Sequence, residues 1–538
     1  MASTLSATPT VTEVSRTIAG RCSRRLLAGV AIVGLAWAAP FMTMSAWAAA
    51  TNPAALSKPA ALTKPAALSK PAATAAPAGA AGFPVVPPVA VCGNSQLLTG
   101  PAVAPTGATT VAPGDASTVN FNRPGTTFWF APGIHTLGPN QYSQIMPAAN
   151  TTYLGAPGAI IDGANLNLFA FTQGAPGVTI RYLTIQNFTA PQDQGVINHD
   201  SAPNWTIQYN TIANNQGAAV MIGPGNTIAY NCLANNGQYG FNAYTPTGDT
   251  NIVIDHNEIA GNDTNHWNTT NPNCGCFGGG KLWAVTGATI TNNWVHDNHG
   301  PGLWADYNNA GILIDNNYIA DNDNSAIVYE ISYNGRITNN NLLRNAIVQG
   351  KAFAARGDNF PVPAIYISES GGDPRLAGGL YATFDIADNN LTDNWGGIAL
   401  WENADRFCGQ PDAKLCPNAN PAANPTTTCT AATINNAPYL DDCRWKTQNL
   451  AIHDNTFTFT RTHVGCTTIG CGEQSIFSNW GTYPTWSPYQ GNLINNNITY
   501  HQNNRYYHNT YTGDWQYTPA TTTPTTFTNW QAPPTNQD

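Results

Sequence analysis

The chain has 538 residues and a formal net charge of −9, and only 9% of its residues are charged. An acidic chain with so few lysines and arginines offers no basic face, so we expect no nucleic-acid partner. The sequence also lacks a phosphate-binding loop, a Ser-His-Asp motif and a haem signature.

Residues 1–48 have the parts of an export signal. Arg24 and Arg25 precede an apolar run that is too short to span a bilayer, and an Ala-Trp-Ala triplet ending at Ala48 offers a cleavage site. The sequence therefore predicts a secreted or periplasmic protein without a membrane span once the signal is cleaved. We expect it to be a monomer.

Residues 49–82 repeat a Lys-Pro-Ala-Ala-Leu-Ser/Thr unit. Recurring proline blocks continuous helix and sheet, so this segment is predicted to be a semi-extended linker. The folded domain then covers residues 83–538, with an irregular region to about residue 175 and a C-terminal cap from about residue 500.

Ten of the cysteines follow the export signal, and an even count in an exported chain favours disulfides. A zinc site is the competing interpretation, but no CxxC pair has matching partners. Cys274 and Cys276 are too close to bridge each other, so we expect each to pair elsewhere. Three short spacings suggest local staples in long loops: Cys408–Cys416, Cys429–Cys443 and Cys466–Cys471.

A nine-residue motif, Ile-x-x-Asn-x-aliphatic-x-x-Asn, recurs through the domain. Such repetition predicts coils of about 22–26 residues that stack in parallel, with aliphatic side chains inside and asparagines at turns. Stacked asparagines can form amide ladders. Helix is excluded because no 3.6-residue periodicity runs through these segments. The copies start at Ile207, Ile228, Ile254, Ile290, Ile314, Ile337 and Ile386, with weaker copies at Ile452 and Leu493.

Over roughly residues 100–510, this pattern resembles the right-handed parallel β-helix superfamily that includes pectate lyases. The resemblance implies an all-β, single-stranded right-handed parallel β-helix with long disulfide-stapled loops. It also implies a carbohydrate partner, either a polysaccharide or a cell-surface glycan. It does not fix an activity, which must be argued from the site.

Three gaps between copies exceed one coil and therefore carry insertions, at 263–280, 346–363 and 403–447. In stacked folds insertions cluster on one face and often build the binding face. All three flank the two clearest copies, between residues 286 and 334.

Aligning the copies at Ile290 and Ile314 places Asp306 beside Glu330, both facing outward. Their carboxyl groups would then be about 5 Å apart, near the separation that retaining glycosidases use. Like charges this close raise one pKa, as a general acid requires. The alternatives are a solvated acidic ladder or a pair bridged by a cation, for which Ca²⁺ is the one ion we consider.

Lys281 is predicted one coil earlier. Matching Leu282-Trp283 to Leu303-Trp304 turns Lys281 outward, near Trp304 and diagonal to Asp306. It is a candidate to pair with the carboxylates, to hold an anionic sugar, or to remove the C5 proton of a uronic acid. The alternative is one solvated lysine in an ion pair.

Other candidates surround this group. Glu369 and Glu402 are predicted to be neighbours at the edge of a strand, and His296 lies at a turn. Exposed aromatic side chains would form a floor on which sugar rings stack; the alternative is packing beneath the insertions. The predicted floor consists of Trp304, Trp401, Tyr307, Tyr333 and Tyr366.

Three functions follow from these features. The first is an exported polysaccharide hydrolase that uses Asp306 and Glu330 with help from Lys281. The second is a uronate lyase or epimerase with Lys281 as base, which would need Ca²⁺ to bridge two acidic molecules. The third is a glycan-binding or adhesion β-helix without catalysis.

Overall fold

The computed structural model describes residues 87–538 apart from 173, 200, 245–248, 271–274, 375, 377–380, 382, 403–414, 418–427, 431–445, 479–496 and 520–522. The predicted export signal and linker lie outside the described residues. Strands of successive coils pair in parallel and build three sheets, here named A, B and C in the order in which the chain enters them. The parallel β-helix predicted from the repeat is confirmed.

The strands are short because each coil turns three times. Sheet A contains Thr109–Val111, Thr127–Phe130, Thr152–Gly155, Thr179–Arg181, Thr206–Gln208, Thr227–Ala229, Asp249–Thr250, Val253–Asp255, Val285–Thr286, Thr289–Thr291, Ala310–Asp315, Tyr333–Thr338, Phe384–Ala387, Leu450–His453 and Arg505–Tyr507. Sheet B contains Gly114–Asp115, Gly133–Thr136, Ala159–Asp162, Thr184–Gln186, Thr211–Ala213, Cys232–Ala234, Glu258–Ala260, Trp294–His296, Tyr318–Ala320, Asn341–Leu343, Asn390–Thr392, Thr456–Phe459 and Thr510–Gly513. Sheet C contains Gly195–Ile197, Ala218–Ile222, Phe241–Ala243, Gly280–Trp283, Leu303–Asp306, Ile327–Glu330, Ile365–Ser368, Ile398–Glu402, Glu473–Ser478 and Gln516–Thr518.

A few elements lie outside the three sheets. Leu415–Pro417 pairs antiparallel with Thr428–Thr430, which brings Cys416 opposite Cys429. No helix in the described part of the chain is long and apolar enough to cross a membrane. The helices are Trp267–Thr270, Ile347–Ala355, Arg461–Val464, Asn497–Tyr500 and Phe527–Gln531. The helix Ile347–Ala355 fills an insertion for which the sequence predicted no element.

The repeated aliphatic positions form one continuous core. Ile290, Ile314 and Ile337 are direct neighbours in sheet A, and each is at most 1% exposed. Removing such side chains from water is the main favourable term in folding. Because every coil contributes the same inward positions, the core runs the length of the stack.

The repeated asparagines form two buried ladders, as predicted. In the first, the Asn293 side-chain amide donates to the Asn317 Oδ1 at 3.0 Å, and Asn317 donates in the same way to Asn340. Each amide also donates to the backbone of another coil, as Asn317 does to the Ile290 carbonyl oxygen at 2.9 Å. The ladders satisfy buried turn groups that would otherwise be costly.

The two ends of the stack show details that the repeat did not mark. The copy predicted at Leu493 lies outside the described residues, and the coil in register after Ile452 instead uses Tyr506. Tyrosine replaces isoleucine there, which hid that copy. The region to about residue 175 forms coils in sheets A and B but contributes only isolated bridges to sheet C, through Ile145 and Phe171.

Disulfides tie loops to the stack. Cys466 bridges Cys471, as the spacing predicted, and Cys276 is also disulfide-bonded. Cys92 bridges Cys232 across 140 residues and holds the segment 91–98, here called the strap, against sheet B. Cys274, Cys408 and Cys443 lie outside the described residues, so the staples predicted for Cys408–Cys416 and Cys429–Cys443 stay predictions.

Candidate functional site

Sheet C carries the predicted carboxylates on its outer face. Asp306 and Glu330 are direct partners in neighbouring parallel strands, as the alignment of the two copies predicted. The alternate residues Ala305 and Tyr329 point into the core and are at most 3% exposed. At the ordinary strand spacing of about 4.8 Å, the two carboxylates stand side by side on the outside of the stack.

Lys281 lies close to this pair and is almost fully buried. Its Nζ lies 2.8 Å from the Asp306 Oδ2, and the side chains of the two residues are 6% and 13% exposed. The same Nζ donates to the Gly275 carbonyl oxygen at 2.7 Å and lies 3.9 Å from the centre of the Trp304 ring. These contacts favour a fixed ammonium ion over a mobile surface lysine.

The register of Lys281 differs from the prediction by two residues. Gly280, not Leu282, is level with Leu303, so Lys281 is level with Trp304 and Trp283 with Asp306. A shift by two preserves the side of the sheet to which each side chain points. The predicted outward direction of Lys281 was therefore right although the alignment behind it was wrong.

The predicted aromatic floor is not an exposed surface. Trp401 is 2% exposed and packs beneath the loops with Phe360 and Phe477, while Trp304 is 9% exposed. Tyr333 belongs to sheet A rather than sheet C and is 1% exposed, and its hydroxyl donates to the Lys446 carbonyl oxygen at 2.9 Å. Packing beneath insertions, the alternative interpretation, applies to Trp401.

Trp401 nevertheless has the position that apolar alternation predicted. It is level with Ser368, which continues the row of Asp306 and Glu330. Tyr366 lies on the neighbouring outward row of sheet C, level with Val328, and is half-buried.

Another aromatic group lies beside the carboxylates. Trp283 makes edge contacts with Tyr244 and Tyr307 at ring-centre distances of 5.7 and 5.6 Å, and all three are half-buried. Burial and the adjacent Asp306 charge raise the pKa of Tyr307 above its ordinary value. The Leu-Trp dipeptide at 282–283 signalled Trp283, but nothing in the repeat signalled Tyr244.

Asp193 is a further acidic group near Lys281. It lies in the turn before the first strand of sheet C, with a φ of 62°. Its carboxylate accepts a hydrogen bond from the Gln192 amide at 2.9 Å and one from the Gln238 amide at 2.8 Å. Burial raises its pKa, and these amides and the Lys281 ammonium oppose that rise without cancelling it. No repeat position marks Asp193.

The remaining candidates are dispersed. Glu402 is fully buried and accepts from the Thr447 backbone amide at 3.0 Å and the Gln502 side-chain amide at 2.7 Å. Glu369, also fully buried, follows the strand Ile365–Ser368 and accepts from the Ser368 hydroxyl at 2.7 Å. Both therefore lie under cover at the strand edge, as part of the structure around the site.

His296 lies on sheet B, not on sheet C with the carboxylates. Its imidazole contacts the Glu258 carboxylate at 3.3 Å and the Asp297 carboxylate at 2.6 Å. Burial alone would lower the pKa of His296, but these two contacts raise it above its ordinary value. The structure thus separates His296 from the predicted substrate-binding group.

Among the residues that the structure describes, no three His, Cys, Asp or Glu side chains are arranged as a metal site.

Comparison with known proteins supports the fold. Residues 195–362 match a family model described as "Right handed beta helix region". This match agrees with the three parallel sheets, and the fold is a right-handed parallel β-helix, as the repeat predicted. A search of curated protein sequences gave no match.

Solved structures similar to this chain include three carbohydrate-active proteins. The mannuronan C-5 epimerase AlgE6 A-module of Azotobacter vinelandii is 16% identical with a TM-score of 0.40, covering 55% of this chain and 82% of the other. A T265N mutant of the periplasmic alginate epimerase AlgG is 11% identical with a TM-score of 0.36, covering 65% and 80%. The catalytic domain of a GH87 α-1,3-glucanase is 15% identical with a TM-score of 0.29, covering 51% and 56%.

Proposed function

We propose that this protein is an exported carbohydrate-active enzyme that cleaves a glycosidic bond in a polysaccharide. The observation that carries the proposal is the side-by-side placement of Asp306 and Glu330 on neighbouring strands, with Lys281 held at 2.8 Å from Asp306. A pair of carboxyl groups is the machinery that most glycosidases use, and retaining enzymes hold the two groups about 5–5.5 Å apart.

Each member of the group has a role in this chemistry. Lys281 fixes the orientation of Asp306 and partly neutralises its charge, which allows Glu330 to stand beside it at low exposure. The two carboxylates would stabilise positive charge as it develops on the sugar ring. Trp283 and Tyr307 lie beside Asp306 and offer aromatic surface against which the C–H face of a sugar can pack.

Covalent chemistry supports the proposed compartment. Disulfides at Cys92–Cys232 and Cys466–Cys471 form and persist outside the reducing cytosol. Together with the export signal at residues 1–48, they support a secreted or periplasmic enzyme whose substrate is an extracellular or cell-surface glycan.

Lys281 fits the role of base in a lyase or epimerase less well. A base must be neutral before it accepts a proton, and the ion pair with Asp306 and the contact with the Trp304 ring both stabilise the ammonium form. We therefore assign Lys281 to positioning, and lyase or epimerase chemistry becomes an outcome of the test.

The test is a panel of neutral and uronate polysaccharides incubated with the purified protein, with and without chelator. We expect reducing ends without ultraviolet-absorbing unsaturated products, and no effect of chelator. Asp306→Asn and Glu330→Gln should each reduce activity by about 100-fold or more. The matched control is Asp321→Asn, which removes a carboxylate from an exposed ion pair with Arg344 beside sheet B.

Each outcome has a distinct meaning. Unsaturated products would replace the hydrolase with a lyase, and a change in the uronate residues without chain cleavage would indicate an epimerase. Binding without any product would make the protein a glycan-binding β-helix. Full activity in both carboxylate variants would remove Asp306 and Glu330 from the mechanism.

A further inference from the structure

We infer that this site works at chain ends: it takes in the terminal part of a polysaccharide and releases a mono- or disaccharide. The inference rests on the proposed function and deepens it by naming which part of the substrate reaches Asp306 and Glu330. It follows from the cover around these two carboxylates, which differs from one side of the pair to another.

The side that follows Glu330 along the stack is closed. Ser368 is level with Glu330, and Trp401 and Phe477 continue the same outward row on the next strands. All three are at most 2% exposed. Phe360, from an insertion, contacts the Trp401 and Phe477 rings at centre distances of 6.0 Å. A sugar chain cannot continue along this row without displacing a packed aromatic cluster.

A second side is closed by the neighbouring outward row of sheet C. Lys281, Trp304 and Val328 are level with one another on consecutive strands, and each is at most 9% exposed. Phe277, from another insertion, makes an edge contact with the Trp304 ring at a centre distance of 6.0 Å. A sugar chain therefore cannot cross the strands in this direction either.

The third side is lined by residues that follow the two carboxylates in the chain. Tyr307 packs with Ile331, Tyr333 and Leu376 in one apolar cluster, in which Ile331 and Tyr333 are at most 3% exposed. Tyr307 itself is half-buried. It thus forms the border of the site on that side, with apolar cover behind it.

The remaining side, toward Trp283, is the least covered of those that the structure describes. Trp283 and Asp306 are level and half-buried, whereas Glu330 and Ser368, which continue the row, are buried. Tyr244 lies on the strand before Trp283, contacts its ring at a centre distance of 5.7 Å and is half-buried as well. Because exposure rises along the row toward Tyr244, the substrate enters from that end.

The spacing of the strands limits how much of the substrate lies on each side. Strands are about 4.8 Å apart, so the closed side begins about one spacing beyond Glu330, and the aromatic side extends about 10 Å before Asp306. Aromatic rings offer apolar surface to the C–H faces of sugars. The polymer therefore lies over Trp283 and Tyr244, and only its terminal part fits between the carboxylates and Ser368.

The reaction is a hydrolysis with water as the only co-reactant. The bond between C1 and the glycosidic oxygen breaks, and its electron pair stays on that oxygen, which gains a proton. A water molecule gives its hydroxyl group to C1, and its remaining proton replaces the one that the oxygen received. One short sugar leaves with each cut, and the shortened chain presents a new end to the same site.

The experiment follows cleavage of a long glycan that the wild-type protein cuts, chosen from the panel of neutral and uronate polysaccharides. Reducing ends, viscosity and product length are measured on the same samples over time. We expect a mono- or disaccharide from the first sample onward, while viscosity stays near its starting value until much of the glycan is consumed. Internal cleavage would instead lower viscosity early, because each cut shortens a whole chain.

Oligosaccharides of the same glycan, labelled at one end or at the other, show which terminus enters. For one labelled form the label should appear in the first short product, and for the other it should stay on the shortening chain. Equal release of label from both forms would mean that either end can pass the carboxylates, which the closed side at Ser368 forbids.

A variant tests the open side. Tyr244→Ala should raise KM by about tenfold for long oligosaccharides and by clearly less for the shortest one that is cut, because only a long chain reaches Tyr244. The product length should stay the same. The matched control is Tyr209→Ala, which removes a half-buried tyrosine from a ring stack at the turn between sheets A and B. Thermal unfolding checks that both variants are folded.

The possible failures are distinguishable. Early loss of viscosity with products of many lengths would overturn the inference and leave the hydrolase in place. In Tyr244→Ala, an equal rise in KM for short and long substrates, or no rise for either, would remove the chain from the aromatic side. If the wild-type protein cuts no glycan, the proposed function fails and the inference fails with it.

Discussion

One outward row of sheet C changes character along the stack. From residue 283 to residue 330 it presents Trp283, Asp306 and Glu330, and after Ser368 it presents Trp401 and Phe477. Both halves are covered, with Glu330 7% exposed and Trp401 2% exposed. The same backbone position thus makes a second apolar core in one half and a charged group in the other.

The two halves must obey different rules. In the apolar half, cover removes hydrocarbon from water and stabilises the loops that lie on it. In the polar half, the covering loops remove water from charged side chains, and burying such charges is tolerated only because they are paired. The polar half is therefore where a single substitution should do most harm to the fold and to activity together.

The largest expected effect comes from breaking the buried ion pair. Asp306→Ala removes the carboxylate that lies 2.8 Å from the Lys281 ammonium, whose side chain is 6% exposed, and breaking such a buried pair costs about 3–5 kcal/mol. We expect the free energy of unfolding, measured with urea, to fall by that amount. The double variant Lys281→Met, Asp306→Leu removes both charges and should cost much less. A single-variant loss below about 1 kcal/mol would show the pair to be solvated.

In the apolar half, Trp401→Ala should destabilise the protein by about 3–5 kcal/mol because it opens a cavity among Phe360, Phe477 and their neighbours. Trp401→Phe should cost clearly less, because the buried Trp401 Nε1 makes no hydrogen bond within the described part of the chain that the substitution could remove. Thermal unfolding measures both. Neither variant should change kcat on a cleaved glycan. A large fall in kcat would show that the apolar half also belongs to the functional site.

The fold could be predicted because its determinants repeat. Nearly every copy of the motif has an aliphatic residue at the inward position and an asparagine at the turn. A misassigned copy can therefore be recognised by comparison with the others. Prediction failed at Tyr506, where a tyrosine takes the place of the motif's isoleucine. The coil still forms there because its strands pair through backbone hydrogen bonds, which do not require that side chain.

The site could be predicted only along the sheet. Asp306 and Glu330 follow from two copies of equal length, which fix their register. Asp193 and Gly275 lie in turns and an insertion, where no period applies, and their approach to Lys281 depends on loop geometry. The aromatic floor was wrong for Trp401 because alternation says which side faces outward but not what covers it.

A buried polar group without charge should cost less than the ion pair. Asn317→Ala removes one step of the first ladder and leaves the Asn293 backbone amide without its acceptor at 2.9 Å. We expect a loss of about 1–3 kcal/mol in the free energy of unfolding. Asn316→Gly, at the exposed neighbouring turn position, is the control and should change little, because glycine adopts the φ of 55° there without strain. Equal losses would mean that the ladder adds nothing beyond the turn itself.

On sheet B, the strap offers a pH-dependent contrast to the polar half of sheet C. The Glu258 Oε2 accepts from the Val91 and Cys92 backbone amides at 2.7 and 2.8 Å, and its Oε1 faces His296. Burial alone would raise the pKa of Glu258, but its hydrogen bonds lower the pKa below its ordinary value of 4.5. Burial alone would lower the pKa of His296, but contacts with Glu258 and Asp297 raise the pKa above its ordinary value of 6.5.

The sign of each shift sets the pH window of the strap. The stability that Glu258 contributes is present above pH 4.5 and is lost as pH falls through its lowered pKa. The stability that His296 contributes is present below pH 6.5 and is lost as pH rises through its raised pKa. Protection of the Val91 and Cys92 amides from hydrogen exchange, taken relative to the unfolded-chain rate at each pH, should be greatest between these limits, with a stabilisation on the order of 1 kcal/mol. His296→Gln should abolish only the alkaline loss. If protection of these amides in the wild type did not change with pH, His296 would have no role in holding the strap.

The smallest effect is expected for the exposed ion pair that serves as the control throughout. Arg344 and Asp321 have side chains that are 47% and 38% exposed, against 6% and 13% for Lys281 and Asp306. Water already solvates both charges, so Asp321→Asn should change the free energy of unfolding by less than about 1 kcal/mol, and salt should reduce even that. If Asp321→Asn and Asp306→Asn lowered the free energy of unfolding equally, burial would not strengthen the ion pair of Lys281 and Asp306. The two halves of sheet C would then differ in packing but not in electrostatics.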